Sequence, residues 1–123
     1  MFDKKEIEIR RARKESLYFR EISKLFLQIT LDDPEVKEFH VSSVQLSPDK
    51  SVCNIFFVSS KGQEDFRCRM SNLILYKPSL RKAISQNIPS RYTPQLVFKY
   101  DEQVEKQHKL EELFDQLKVE NKL

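Results

Sequence analysis

A chain of 123 residues has the length of one domain and buries roughly two thirds of its unfolded surface around a single core. Charged residues make up 33% of it, but nine Phe and four Tyr supply core material, which excludes a wholly disordered chain. The net charge of +3 is unevenly spread: residues 61–99 hold eight Lys/Arg against two Asp/Glu, and residues 100–123 hold four against seven, so the middle suits a polyanion or forms a solvated basic face.

The spacing predicts a long amphipathic helix from Lys5 to Thr30, with Ile9, Ala12, Phe19, Ile22, Phe26 and Ile29 along one stripe. Arg10, Arg11, Arg13, Lys14, Arg20 and Lys24 stand between them. The start, MFDKKEIEIRRARK, is too charged for a secretory leader, and no apolar run reaches the roughly 18 residues of a membrane span, so a cytoplasmic protein without membrane contact is expected. Asp32, Asp33 and Pro34 stop the helix. The aspartates read better as turn chemistry than as a Mg²⁺ or catalytic pair.

Two strands follow, Phe39–Ser47 and Ser51–Ser60, joined by a turn at Pro48 and Asp49. In the second, Cys53, Ile55 and Phe57 share a face. In the first, the apolar phase shifts between Val41 and Val44, which predicts a bulge. Cys53 and Cys68, both among apolar residues and without CxxC spacing, read as buried free thiols before a disulfide. Gly62 is the single glycine, which excludes a P-loop and a GxGxxG turn.

Helical spacing returns with Phe66, Met70, Leu73 and Ile74, and again with Leu80, Ala83, Ile84 and Ile88. Pro78 lies between, so two short helices meeting at a kink are expected. Pro94 then opens a strand with Leu96, Phe98 and Tyr100 on one face. A final helix carries Leu110, Leu113, Phe114 and Leu117, and reads as either a docked cover for the sheet or a mobile extension. No acid/base or nucleophile constellation is signposted: His40 and His108 are far apart in the chain, and an enzyme is not expected. No cofactor or metal ligand set is marked.

The order α-β-β-α-(kink)-α-β-α, the stretch DDPEVKEFHVSSVQLSPDKSVCNIFFVSS, and LRKAISQNIPSRYTPQLVFKYDEQVEK together resemble the bacterial ribosome-binding factor A family over nearly the whole chain. The family pattern falls on Arg91, Pro94, Leu96, Phe98, Tyr100 and Asp101. The resemblance implies an α+β, type II KH-like fold over residues 1–101, with a mixed three-stranded sheet packed on helices. It implies a C-terminal helical extension over 102–123 outside that core. It further implies a monomeric, non-enzymatic assembly factor that binds the immature small (30S) ribosomal subunit and assists late maturation of its 16S rRNA, without a small-molecule substrate.

One departure concerns the kink. The family's Ala-x-Gly aligns with Tyr76, Lys77 and Pro78, so a proline replaces a flexible residue as the source of the bend. Because KH-like folds set their paired helices beside nucleic acid, the resemblance and the charge pattern together mark Arg67, Arg69, Lys77, Arg81, Lys82 and Arg91 as RNA-contacting residues. Arg10, Arg13 and Lys14 join them if the first helix packs alongside. Tyr92 is expected to pack on the sheet before it stacks on RNA. A rival reading is a KH-like adaptor whose basic face meets an acidic protein.

Overall fold

The computed structural model describes residues 3–121, so residues 1, 2, 122 and 123 of the expected domains lie outside the description. Four α-helices, one 3₁₀ turn and three strands follow in the order α1 (Lys4–Asp32), the 3₁₀ turn (Pro34–Val36), β1 (Phe39–Leu46), β2 (Val52–Ser59), α2 (Gln63–Ile74), α3 (Lys77–Asn87), β3 (Gln95–Tyr100) and α4 (Glu102–Asn121). The sheet runs β1-β2-β3, with β1 antiparallel and β3 parallel to the central β2. This is the α+β arrangement that the alternation of strand and helix patterns predicts.

The core lies on one face of the sheet. Cys53, Ile55 and Phe57 point into it with no exposed surface, as the period of two requires. Phe57 sits at its centre, with ring centroids 5.0 Å from Phe26 of α1, 5.1 Å from Phe98 of β3 and 6.2 Å from Phe66 of α2. Buried Leu73, Leu80 and Ile84 bring the paired helices onto the same surface. The Cys53 thiol is pushed up to about 12 by burial and by the nearby charge of Glu15, which keeps it protonated and inert. Cys68 differs from expectation: it is exposed, because it falls on the outer side of α2 beside Arg67.

The bulge is present. Val41 pairs with Phe57 and Ser43 with Phe56, so Ser42 is the extra residue. Core-facing positions change from Phe39 and Val41 before it to Val44 and Leu46 after it. Ser42 uses the extra position to donate to Asp101 Oδ2 at 2.7 Å. The hairpin turn is closed by Asp49, whose Oδ1 accepts from the Ser47 and Ser51 hydroxyls at 2.7 and 2.8 Å and holds its own carboxyl at about 2. Lys50 takes a left-handed φ of 63° there. Gly62, at φ 89°, occupies a similarly unusual position at the start of α2.

Helix α1 buries only part of the stripe its sequence suggests: Ile22, Phe26 and Ile29 lie on it as expected, but Tyr18 takes the place of Phe19. Tyr18, Ile22 and Phe26 are buried, Leu25 and Ile29 pack beside them, and Ile9 and Phe19 are exposed. Tyr18 lies one turn before Ile22 on that stripe, and Phe19, turned about 100° from Tyr18, falls on its flank. Ile74, at the end of α2, is also exposed.

The break between α2 and α3 lies where the proline dictates. Helix α2 ends at Ile74, four residues before Pro78, whose missing N–H and bulky ring would have opposed continuation from that carbonyl. Pro78 then sits in the first turn of α3, where its missing donor is harmless. Leu75 and Tyr76 bridge the two helices, with the Tyr76 N–H donating to Leu73 O at 3.0 Å.

Helix α4 starts from a side-chain cap, the Val104 N–H donating to Asp101 Oδ1 at 3.2 Å. Val104, Glu105, His108, Lys109 and Glu112 line a cavity of about 470 Å³ against His40, Val58 and Tyr100. Leu110, Leu113, Phe114 and Leu117 lie on the other side of the helix, about half a turn away, and are exposed. The apolar stripe therefore does not cover the sheet.

Candidate nucleic-acid interface

The loop after α3 and the C-terminal half of the chain's basic block meet in one concavity. It is lined by Pro78, Arg81, Lys82 and Ser85 of α3 and by Arg91, Tyr92 and Thr93, and encloses about 510 Å³. Among the described residues three cations and no carboxylate line it, so its potential favours an anion. Lys82 stands on the side of α3 turned away from buried Leu80 and Ile84, Arg81 on its flank, and Pro94 directly precedes β3.

Hydrogen bonds hold the parts of this surface in place. Arg81 Nε donates to Pro94 O at 3.3 Å and its Nη2 to Thr93 O at 3.2 Å. Lys14 of α1 donates through Nζ to Ser90 Oγ at 3.2 Å, and that hydroxyl donates to Tyr92 O at 2.8 Å. Lys14 therefore joins Arg81, Lys82 and Arg91 at one loop, 76 residues away in sequence. Arg10 lies one turn N-terminal on the same side of α1, while Arg13 points about 100° away.

Lys77, Arg67 and Arg69 of the marked cations have partners within the chain, Arg67 only in an exposed pair. Lys77 lies over the Phe98 ring, 5.2 Å from its centroid. Arg67 pairs with Glu64 at 3.5 Å across one turn of α2. Arg69 donates to Asp65 at 2.9 Å and to the carboxylate and carbonyl of Glu35, clasping α2 to the 3₁₀ turn. Partial burial pushes the Asp65 carboxyl up, but bonds from Arg69 and Ser59 outweigh it and leave it below the usual range. Glu35 is 34 residues from Arg69, a pairing no local spacing signals.

Tyr92 departs from expectation. The residue is 75% exposed instead of packed on the sheet, with the Arg91 guanidinium over its ring, 5.8 Å from the centroid. Pro94 and Leu96 take the buried positions that follow, and the loop turns Tyr92 outward. The histidines His40 and His108, far apart in the chain, line one cavity under α4 together with Glu105 and Glu112. No group of three or more His, Cys, Asp or Glu among the described residues is arranged to hold a metal ion. No helix among them is long and apolar enough to cross a membrane.

Comparison with known proteins agrees with this architecture. A relative from Nitrosococcus oceani, ribosome-binding factor A, is 34% identical over 109 residues, covering 88% of this chain and 85% of its own. The protein of that name from Aromatoleum aromaticum is 29% identical over 98 residues, covering 80% and 76%. The crystal structure of ribosome-binding factor A from Thermus thermophilus shares the fold with a TM-score of 0.62 at 24% identity, over 73% of this chain and 93% of that one. A solution structure of a putative ribosome binding factor A from Thermotoga maritima gives 0.63 at 24%, over 72% and 84%. The family model of ribosome-binding factor A matches residues 10–114, which include every cation around the concavity, and the chain belongs to that family.

Proposed function

We propose that this protein is a non-enzymatic assembly factor that binds the immature small ribosomal subunit and assists late maturation of its 16S rRNA. The observation that carries the reading is the concavity lined by Arg81, Lys82 and Arg91 without a carboxylate among the described residues, with Lys14 bonded to its loop, within a chain of this family. Arg10 extends the contact along α1, whereas Arg13 points about 100° away from it. Arg67, Arg69 and Lys77 act first on the fold, through the partners that already hold them. Cations on phosphates position a protein without reading sequence, so recognition rests on the shape of the folded RNA. Assistance then follows from differential binding: a factor preferring one RNA arrangement shifts the population toward it and leaves when maturation removes it.

The test is co-sedimentation of the purified chain with mature and immature small subunits over a series of salt concentrations. Preferential, salt-sensitive binding to immature particles is expected. Equal binding to both, or indifference to salt, overturns the reading. Recovery of a partner protein that survives nuclease treatment, without binding to subunits, assigns the basic face to an acidic protein instead.

A further inference from the structure

We infer that the concavity between α3 and the loop before β3 seats a single unpaired RNA nucleotide, its base stacked on Tyr92 and its flanking phosphates held by Arg81, Lys82 and Arg91. The inference rests on the reading of the protein as an RNA-binding factor and specifies which feature of the RNA is held. An exposed aromatic ring is ordinary by itself. This ring is presented: its loop is anchored through Ser90, which bonds both the Tyr92 carbonyl and Lys14 of α1. The Arg91 guanidinium lies over one face of the Tyr92 ring and the residue is largely exposed, so the opposite face is the one a base can stack against.

The cations are placed for a phosphate next to that base. Arg81 uses Nε and one Nη2 hydrogen on the carbonyls of Pro94 and Thr93, which leaves three of its five N–H groups for a ligand. Because those two bonds already fix the guanidinium, little rotamer freedom remains to be lost on binding. Lys82 and Arg91 add charge at the same wall, and the Ser85 and Thr93 hydroxyls add neutral polar groups. Duplex RNA is read across successive minor grooves over about 16 base pairs, which a seven-residue concavity does not span.

The experiment uses the full chain and two RNA hairpins, one carrying a single bulged 2-aminopurine and one fully paired. The bulged hairpin is expected to bind about tenfold tighter, as one base–aromatic stack implies. Its fluorescence should be quenched on binding. Tyr92→Ala should abolish both the preference and the quenching, while Tyr92→Phe keeps both. Equal affinity for the two hairpins, or a Tyr92→Ala chain that retains the preference, overturns the inference and leaves the RNA-binding reading standing. Binding to neither hairpin overturns the inference, and if salt-sensitive co-sedimentation with immature subunits fails as well, the reading on which it rests falls with it.

Discussion

The Tyr76 hydroxyl donates to the carboxylate of Asp33, joining the kink between α2 and α3 to the end of α1. Asp33 is already occupied on two other sides: its N–H bonds Ile29 O at 2.9 Å, and its Oδ1 accepts from the Glu35 N–H at 2.9 Å. One residue thus ends α1, starts the 3₁₀ turn and fixes the kink. The Tyr76 bond, followed by that of the Glu35 amide, holds its carboxyl below the usual aspartate range.

Tyr76→Phe removes the kink's bond to Asp33 without opening the core. A drop in Tm of about 1–4 °C at pH 7 is expected. A carboxyl lowered in the folded state contributes stability that is fully present above its unfolded value, about 4, and is lost as pH falls through the folded value. The gap between the two proteins should therefore close on acidification below about pH 4. Thermal melts from pH 7 to pH 2 measure it, and a gap of constant size contradicts this role for Asp33.

Lys50 is the one described non-glycine residue at positive φ, where an L side chain crowds the following carbonyl. Lys50→Gly removes the crowding but frees the unfolded chain. The net expectation is a gain of about 0.5–1 kcal/mol, read as a higher urea midpoint with unchanged slope. A lower midpoint would mean that the Lys50 stem contributes more than the backbone costs.

Much of the fold was legible because local rules and the core agreed. Alternation placed Cys53, Ile55 and Phe57 inward, the phase shift at Val41 and Val44 marked the bulge, and Pro78 located the break within a few residues. What stayed hidden was decided by distant partners. Nothing near Tyr18 says that it, and not Phe19, reaches the sheet, and nothing near Arg69 announces Glu35. The candidate site was legible as a composition; the loop that gathers Lys14 with Arg81 and Arg91 was not.

Phe57→Ala tests the centre of that core. Its ring has no exposed surface and meets three others, so truncation should cost about 3–5 kcal/mol. That is a large part of the roughly 5–15 kcal/mol of a typical domain. Urea titration followed by circular dichroism measures it. The exposed pair Leu113 and Phe114 provides the contrast: replacing both by Ser should shift the midpoint within about 0.5 kcal/mol.

Asp101 links the bulge to the last helix, since one oxygen accepts from Ser42 and the other caps α4. Asp101→Ala should cost about 1 kcal/mol in the cap alone. The loss should appear locally, as faster amide exchange in the first turns of α4, with β2 still protected. Ser42→Ala should weaken the same anchor, and the double variant should lose less than the two singles together. Strict additivity would separate the bulge from the helix.

Arg69 and Arg81 are both fixed by main-chain carbonyls, but only Arg69 also meets carboxylates, those of Glu35 and Asp65. A guanidinium already neutralised within the fold displaces few counterions from RNA, whereas one facing an acid-free concavity displaces a full share. Arg81→Ala should therefore reduce the slope of log affinity against log salt by about 0.7–0.9, and Arg81→Lys should restore most of it. Arg69→Ala should lower Tm and leave the slope alone. Titrations of a bulged RNA hairpin at four salt concentrations, with melts of each variant, separate the two effects. A slope lost with Arg69 and kept with Arg81 would move the RNA contact from α3 to α2.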